Sequence, residues 1–332
     1  LIEKNDAPKK AWCSFLMTLN YENYISDEKH FEYSKEFVKT LPVYDLKTKL
    51  ENITNDEKTK IAFISPDFRN HSVSYFLVNT LKNLNKEKYE IYAFSNTKKE
   101  RYDEFTSSIK AEIHEWNDIN DMEDKDIIEL IRSKKISILF DLTGYFSDNK
   151  ISIFKNRAAP IQVSWCGYTN TTGLAEMDYI IADPYVIKQE EEKFYTEKIL
   201  RLPSIWNSHS GLKIERKLNK TPMKENNYIT FCSFNNFSKI SELNVKVWSE
   251  GLRKIKNSKL LLKPSGKINY ERLYKLFENE KVINQITFLK NENSFNNHMN
   301  HYKKVDIALD TFPYNGATTS FEAIWMSVPV LT

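Results

Sequence analysis

Glycine is scarce in this chain: 7 residues in 332. So few exclude a glycine-rich low-complexity tract, and they make the position of each one informative. A long apolar run is also missing. A bilayer-crossing helix needs ~20 apolar residues in succession, and no stretch reaches that. Net charge is nearly absent, since 48 Lys+Arg against 45 Asp+Glu leave +3. Nothing therefore calls for a nucleic acid or an anionic membrane as partner. Lysine-rich stretches such as RKIKNSK, starting at Arg253, read as solvated faces. Cysteine is down to three, Cys13, Cys166 and Cys232, an odd number set far apart in apolar surroundings. They read as buried reduced thiols, which points to the cytoplasm. No His, Cys and carboxylate cluster has metal-ligand spacing, so neither metal nor cofactor is expected. No signal peptide is visible, although both ends look cut, at Leu1 and in the apolar run VPVLT closing at Thr332.

What is present is the composition of a soluble globular protein, 41% hydrophobic and 28% charged, long enough for about two domains. The stretches 8–19 and 27–40 read as helices, the second opening on an Asp cap, and form a preface, residues 1–55, rather than a domain. From 56 to 203 short β-branched runs alternate with amphipathic helices. Strands are expected at 60–65, 89–95, 136–142, 161–165 and 178–183, with helices at 72–84 and 124–134. Periodicity is lost over 204–227, a polar linker, and restarts in a second domain, 228–332. Strands are expected there at 228–234, 259–263, 285–289 and 306–310, with helices near 240–255, 269–279, 294–303 and 318–326. The pattern predicts α/β architecture, two tandem Rossmann-like domains with parallel sheets covered on both faces. Ligands in such folds bind outside the carboxyl ends of the strands, here expected in the cleft between the domains.

Four of the seven glycines, Gly144, Gly167, Gly173 and Gly316, follow expected strands at that end, which suggests backbone approached by a ligand. The stretch DTFPYNGATTSFEAIWM, from Asp310 to Met326, leads from a strand into a helix. Amides at a helix start lack internal partners and the dipole is positive there. With Asn315 and Gly316 giving close approach and Thr318 and Thr319 adding hydroxyls, this is an anion-binding geometry. A plain loop with a threonine cap fits the same residues equally well. Glu322 lies one turn on, within reach of ribose hydroxyls. FCSFNNFSKI sets Asn235, Asn236 and Lys239 after a strand, and a lysine beside a diphosphate would neutralise leaving-group charge. Taken alone, Lys239 reads as a solvated lysine, and His71 and His114 read as cap or surface histidines. The Asp-x-Asp pair Asp124 and Asp126 sits at a helix start, where capping acids belong.

Together the stretches SPDFRNHSVSYFL, DLTGY, RAAPIQVSWCGYTNTTG, MDYIIAD, YTEKILRLP, FCSFNNFSKI and LDTFPYNGATTSFEAIWMSVPVLT resemble the catalytic region of the O-GlcNAc transferase and SPINDLY-type family of glycosyltransferases, over about residues 60–332. The resemblance implies two domains of the GT-B type, a UDP-sugar donor, most simply UDP-GlcNAc, and protein Ser or Thr hydroxyls as acceptors. It implies inversion at the sugar carbon without a metal, and upstream TPR-like helical repeats as a further partner. Carried over by motif, His71 matches the active-site histidine near acceptor and sugar, and His114 a second cleft histidine. Lys239 matches the lysine on the diphosphate, His298 the histidine near the uracil, and Thr318 and Thr319 the pair on the phosphates. Glu322 falls where the family has an acid on the ribose. The chain departs from the pattern at Ala317 and Asn170, has no large insert between its domains, and ends before the family's last helices, which would leave it inactive as it stands. GDP-fucose or UDP-glucose as donor remains an alternative. So does a nucleotide-sugar epimerase, which needs acid/base carboxylates that these loops supply only at Asp141.

Overall fold

A computed structural model of the chain describes residues 7–51, 58–214, 221–263, 270–290 and 294–332. Residues 52–55 of the preface, 215–220 of the expected linker and 269 of an expected helix lie outside the described residues. The chain divides into two units, one of residues 1–19 and 24–210, the other of 20–23 and 211–332.

The first unit opens with helices α1 (Lys9–Leu19) and α2 (Asp27–Lys39). The cap of α2 is Ser26 rather than the expected aspartate: the Ser26 hydroxyl accepts from the Lys29 amide at 3.2 Å, and Asp27 occupies the first turn, where its charge meets the helix dipole. Then follow β1 (Thr59–Ser65), α3 (Ser72–Asn83), β2 (Tyr89–Ser95), α4 (Glu104–Lys110), β3 (Glu115–Asp118), α5 (Asp124–Ser133), β4 (Ile138–Asp141), α6 (Ile151–Lys155), β5 (Ile161–Ser164), β6 (Tyr179–Ala182) and β7 (Lys198–Arg201). All pairings are parallel, in the order β3-β2-β1-β4-β5-β6-β7. The edge strands β3 and β7 escaped the sequence reading because edges need no continuous apolar run: EWND is nowhere fully buried and KILR alternates exposed with half-buried residues. The preface packs as part of this unit. Trp12, Leu16 and Phe37 lie in one core with Ile64, Phe94 and Tyr145, the Phe37 ring 5.9 Å from Trp12 and 5.3 Å from Tyr145.

The second unit contains α7 (Met223–Asn226), β8 (Ile229–Ser233), α8 (Glu242–Lys254), β9 (Ser258–Leu262), α9 (Glu271–Asn279), β10 (Ile286–Phe288), α10 (Phe295–Tyr302), β11 (Ile307–Leu309), α11 (Thr318–Trp325) and β12 (Val330–Leu331). Its parallel order is β10-β9-β8-β11-β12. Successive strand residues point to opposite faces. Accordingly Phe231, Leu260 and Leu262 join a core with Trp248, Leu252 and Phe277, while Cys232 and Ala308 join another with Tyr302 and Met326. Strands buried on both faces read as unbroken apolar runs, which is why this half was legible. Described residues of the expected polar linker are tied to the units: the Met223 amide donates to Asp306 at 2.9 Å, and the Ser210 amide to the Tyr75 carbonyl at 2.7 Å.

Candidate functional site

Both sheets place the first strand beside the fourth, so the winding direction reverses between β1 and β4 and again between β8 and β11. Doubly wound sheets bind ligands at such switch points, outside the carboxyl ends. The loops after these four strands carry most of the residues singled out above.

In the first unit β1 runs into 65–71. The Asp67 amide donates to Ser65 Oγ at 3.0 Å, Ser74 Oγ donates to the Asp67 carbonyl at 2.8 Å, and Phe68 is held by Thr97 and Thr106. His71 is the N-cap of α3, its Nδ1 accepting from the Val73 amide at 3.3 Å. Asp67 Oδ2 is 3.6 Å from that same nitrogen, while Oδ1 takes Arg69 at 2.8 Å. Burial holds His71 below the ordinary histidine pKa, Asp67 opposes this and Arg69 reinforces it. The ring is therefore neutral near pH 7. With Nδ1 accepting, the bonding assigns the proton to Nε2, which then donates. Nε2 becomes a base when the proton moves to Nδ1, toward Asp67.

The glycines of the neighbouring loops are closely approached by protein on the side where a Cβ would stand. A Cβ on Gly167 would lie 2.0 Å from the Leu142 carbonyl oxygen. One on Gly144, at φ +60°, would lie 2.2 Å from Tyr168 Cβ, and one on Gly173 2.7 Å from the Ser34 backbone. They let DLTGY, WCGYTNTTG and α2 pack against one another. Asp141 is buried, its oxygens accepting from the Thr143 and Gly144 amides at 2.9 Å each. Burial pushes its carboxyl up to about 6, against the pull of those amides. Both oxygens accept from amides of their own loop and so shape it. A carboxylate that sequence reasoning left unassigned, Glu197 in YTEK, is buried and accepts from Thr171 Oγ1 at 2.8 Å, the Thr172 amide at 2.7 Å, the Thr172 hydroxyl and Thr196 Oγ1 at 3.1 Å. It pins the end of the WCGYTNTTG loop.

His114 stands apart. It is exposed, its amide donates to the Ile91 carbonyl at 2.7 Å, and it precedes β3 at that strand's amino end. That puts it a four-residue strand, about 13 Å, from the carboxyl edge where His71 sits. Asp124 and Asp126 lie in the first turn of α5, after an N-cap at Glu123, and Asp124 bonds Lys150 at 2.8 Å.

In the second unit the two switch-point loops are stitched together. Asn235 is buried, donates to Asp310 Oδ1 at 3.5 Å and accepts from Thr319 Oγ1 at 2.9 Å. Asn236 caps the turn 237–239 by accepting from the Ser238 amide at 3.0 Å. Asp310, which the sequence reading did not single out, organises the second loop. Its Oδ1 accepts from the Gly316 and Thr311 amides at 2.7 and 2.8 Å, and its Oδ2 from Asn315 Nδ2 at 3.2 Å. The first intrahelical bond of α11 runs from the Phe321 amide to the Ala317 carbonyl at 3.1 Å. The amides of Thr318, Thr319 and Ser320 therefore precede the helix's own acceptors, and the positive dipole end opens there. The N-cap is Ala317 with no side-chain bond, so the expected threonine cap is absent and the Thr318 hydroxyl is not used for capping. A Cβ on Gly316 would come within 2.5 Å of Thr319 Oγ1 and 2.9 Å of Asn235 Oδ1.

Lys239 Nζ donates to the Asn315 carbonyl at 2.8 Å and lies 4.1 Å from the Tyr314 ring centroid. Burial brings its pKa down to about 8, against the pull of Asp310. Behind α11, Glu322 is buried and bonded to His298 Nε2 at 2.9 Å and to the Tyr302 hydroxyl at 3.3 Å. His298 Nδ1 is buried without a hydrogen-bond partner. A small cavity at the switch point is lined by Ser233, Asn235, Asp310 and Thr319. Gathered on this one edge are a helix start, a lysine and a buried His–Glu pair.

The sequence model of glycosyl transferase family 41 matches residues 10–209 and 208–332, and the chain belongs to that family. It is 34% identical over 330 residues to the probable UDP-N-acetylglucosamine–peptide N-acetylglucosaminyltransferase SPINDLY of Oryza sativa subsp. japonica, covering 96% of this chain and 35% of that protein. The Arabidopsis thaliana protein of the same name is 33% identical over 328 residues, covering 96% and 36%. The chain thus spans about a third of the length of the curated relatives it matches. Among solved structures, a mutant of the Thermobaculum terrenum O-GlcNAc transferase superposes with TM-score 0.89 at 26% identity, covering 99% of this chain and 63% of that one. The lipopolysaccharide outer core galactosyltransferase WaaB, at TM-score 0.52 and 15% identity, covers 82% and 80% and shares the fold alone. The two parallel-stranded α/β units are as the sequence pattern predicts, and the architecture is that of the GT-B fold, as the family resemblance implies.

Proposed function

We propose that this chain carries the catalytic region of a protein O-glycosyltransferase that moves N-acetylglucosamine from UDP-GlcNAc to Ser or Thr hydroxyls, with inversion and without a metal. The observation that carries it is the pairing of Lys239 with the start of α11 at the second switch point. A cation on the loop after β8, bonded to the loop that opens α11, and the amides at that helix start suit a diphosphate whose charge grows as the sugar leaves. Thr318, Thr319 and Gly316 flank the phosphates in this reading. His298 and Glu322 face the nucleoside, with the unpartnered His298 Nδ1 left to accept a bond. His71 meets the sugar or acceptor; Asn235 and Asp310 shape the loop, and His114 takes no part. The relatives named as UDP-GlcNAc–peptide transferases supply donor and acceptor class. Upstream helical repeats as a partner, and a reducing compartment such as the cytoplasm, belong to the same reading, the latter supported by three buried free thiols. Among the described residues no helix is long and apolar enough to cross a membrane.

The test is donor hydrolysis and peptide modification by the purified full-length protein that carries this chain, with UDP-GlcNAc, UDP-glucose and GDP-fucose in parallel. Transfer from UDP-GlcNAc that depends on peptide is the expected result. Preference for GDP-fucose moves the donor assignment, and interconversion of free nucleotide sugars replaces transfer with epimerisation.

A further inference from the structure

The Lys239 amine is held from two sides by one loop. The Asn315 carbonyl accepts one N–H at 2.8 Å, and the face of Tyr314 covers the cation at 4.1 Å. Two further bonds tie the same strands of chain: Ser241 Oγ donates to the Phe312 carbonyl at 3.3 Å, and the Phe312 amide to Asn244 Oδ1 at 3.4 Å. The Tyr314 ring is itself held edge-on by Tyr21, 5.2 Å between centroids, a residue counted with the second unit. A flexible lysine carries about 2 kcal/mol of rotamer entropy, so a cation that must meet a ligand at one point benefits from being ordered beforehand. The ring removes water from one face, the carbonyl consumes one proton, and the remaining N–H groups are left for an incoming anion.

We propose that Tyr314 is a positioning residue, whose ring clamps the Lys239 ammonium on the loop that leads into α11 and so fixes it for a nucleoside diphosphate. This rests on the reading of Lys239 as the diphosphate partner. The hydroxyl is not required; the aromatic face is. The charged or titratable groups facing this pair are Asp310 beside the amine and Tyr21 beside the ring.

The experiment uses the full chain with carbon-13-labelled lysine, the Lys239 signal being assigned by its loss in Lys239→Arg. The ring predicts an upfield-shifted Lys239 Cε resonance and a titration midpoint near 8 in the unsubstituted protein. Tyr314→Phe keeps both. Tyr314→Leu loses the upfield shift and weakens UDP binding by between about 2- and 30-fold. Transfer follows, with kcat lowered in Tyr314→Leu and unchanged in Tyr314→Phe. An unshifted Lys239 signal in the unsubstituted protein overturns the clamp without need of any variant, as does an equal loss of UDP affinity in the Phe and Leu variants. A clamp seen spectroscopically in a protein that binds no UDP leaves the geometry standing and removes the nucleotide-sugar reading instead.

Discussion

Lys239 concentrates the chemistry of the second unit into one side chain. As the sugar–phosphate bond breaks, the departing diphosphate gains charge, and Lys239 is a full cation bonded to the loop that opens α11. Removing one preorganised charge-stabilising donor costs about 10²–10³ in rate, or ~3–4 kcal/mol. Lys239→Met, which keeps the stem and loses the charge, should lower kcat by about that factor with a smaller change in donor KM, since the charge is largest in the transition state. Initial rates with a peptide acceptor measure it, and a fall of less than about fivefold would make Lys239 a mere loop tie. The same residue sets a pH limit. Its folded pKa lies near 8, below the ordinary 10.5, and the protonated form is the useful one. kcat/KM, which reports the free protein, should therefore fall as pH rises through about 8. A bound diphosphate favours the charged amine, so the limb for kcat should lie higher.

Helices α1 and α2 show what an element can contribute beyond its sequence appearance. They read as a preface, yet Phe37 is fully buried between Trp12 and Tyr145, and the Ser34 backbone fills the space beside Gly173. Phe37→Ala removes that packing with little room for collapse, and such core truncations cost about 3–5 kcal/mol. The expected result is a lowered unfolding midpoint for the first unit, followed by near-ultraviolet circular dichroism, with the second unit's transition unmoved. This element also marks where sequence reading stopped. Apolar period told that 27–40 is a helix, but nothing in the period says which core it joins. The strands buried on both faces, such as Ile229–Ser233, were legible because burial on both sides demands an apolar residue at every step. Edge strands such as EWND carry no such demand. Among the site residues, Lys239, Thr319 and Glu322 were placed by lying after apolar strands or one turn into a helix. Asp310 and Glu197 were missed because their work is inward, accepting bonds from loop amides and hydroxyls, and an inward turn leaves no mark in one sequence. His114 is matched by motif to a second cleft histidine, while the sheet register sets it at the amino end of β3.

At the scale of the whole molecule the question is where the countercharge for a diphosphate comes from. Many sugar transferases draw it from a divalent cation held by carboxylates. Among the described residues no group of three or more His, Cys, Asp or Glu is arranged to hold a metal ion. The carboxylates nearest the proposed phosphates are otherwise engaged. Asp310 accepts four bonds, from the Gly316 and Thr311 amides and from the Asn315 and Asn235 side chains, and Glu322 is bonded to His298 and Tyr302. Ligating a cation through Asp310 would break bonds that hold the start of α11 in place. The Asp-x-Asp pair is occupied in another way, with Asp124 on Lys150 at 2.8 Å in the first turn of a helix. Against this stand one full positive charge on Lys239 and the helix start, equivalent to about half a charge. Turnover should therefore persist after dialysis against EDTA, within about a factor of two of the rate with added magnesium or manganese, the scatter expected when a cation only screens and does not act as Lewis acid. Initial-rate transfer from UDP-GlcNAc to a peptide, with and without chelator, measures it. A collapse of the rate in EDTA that manganese restores would overturn the metal-free mechanism. Repeating the titration in Lys239→Met separates the two sources of charge: if the protein lysine is the countercharge, added cation recovers little of the lost rate, because among the described residues no carboxylate set is arranged to bring it to the leaving oxygen.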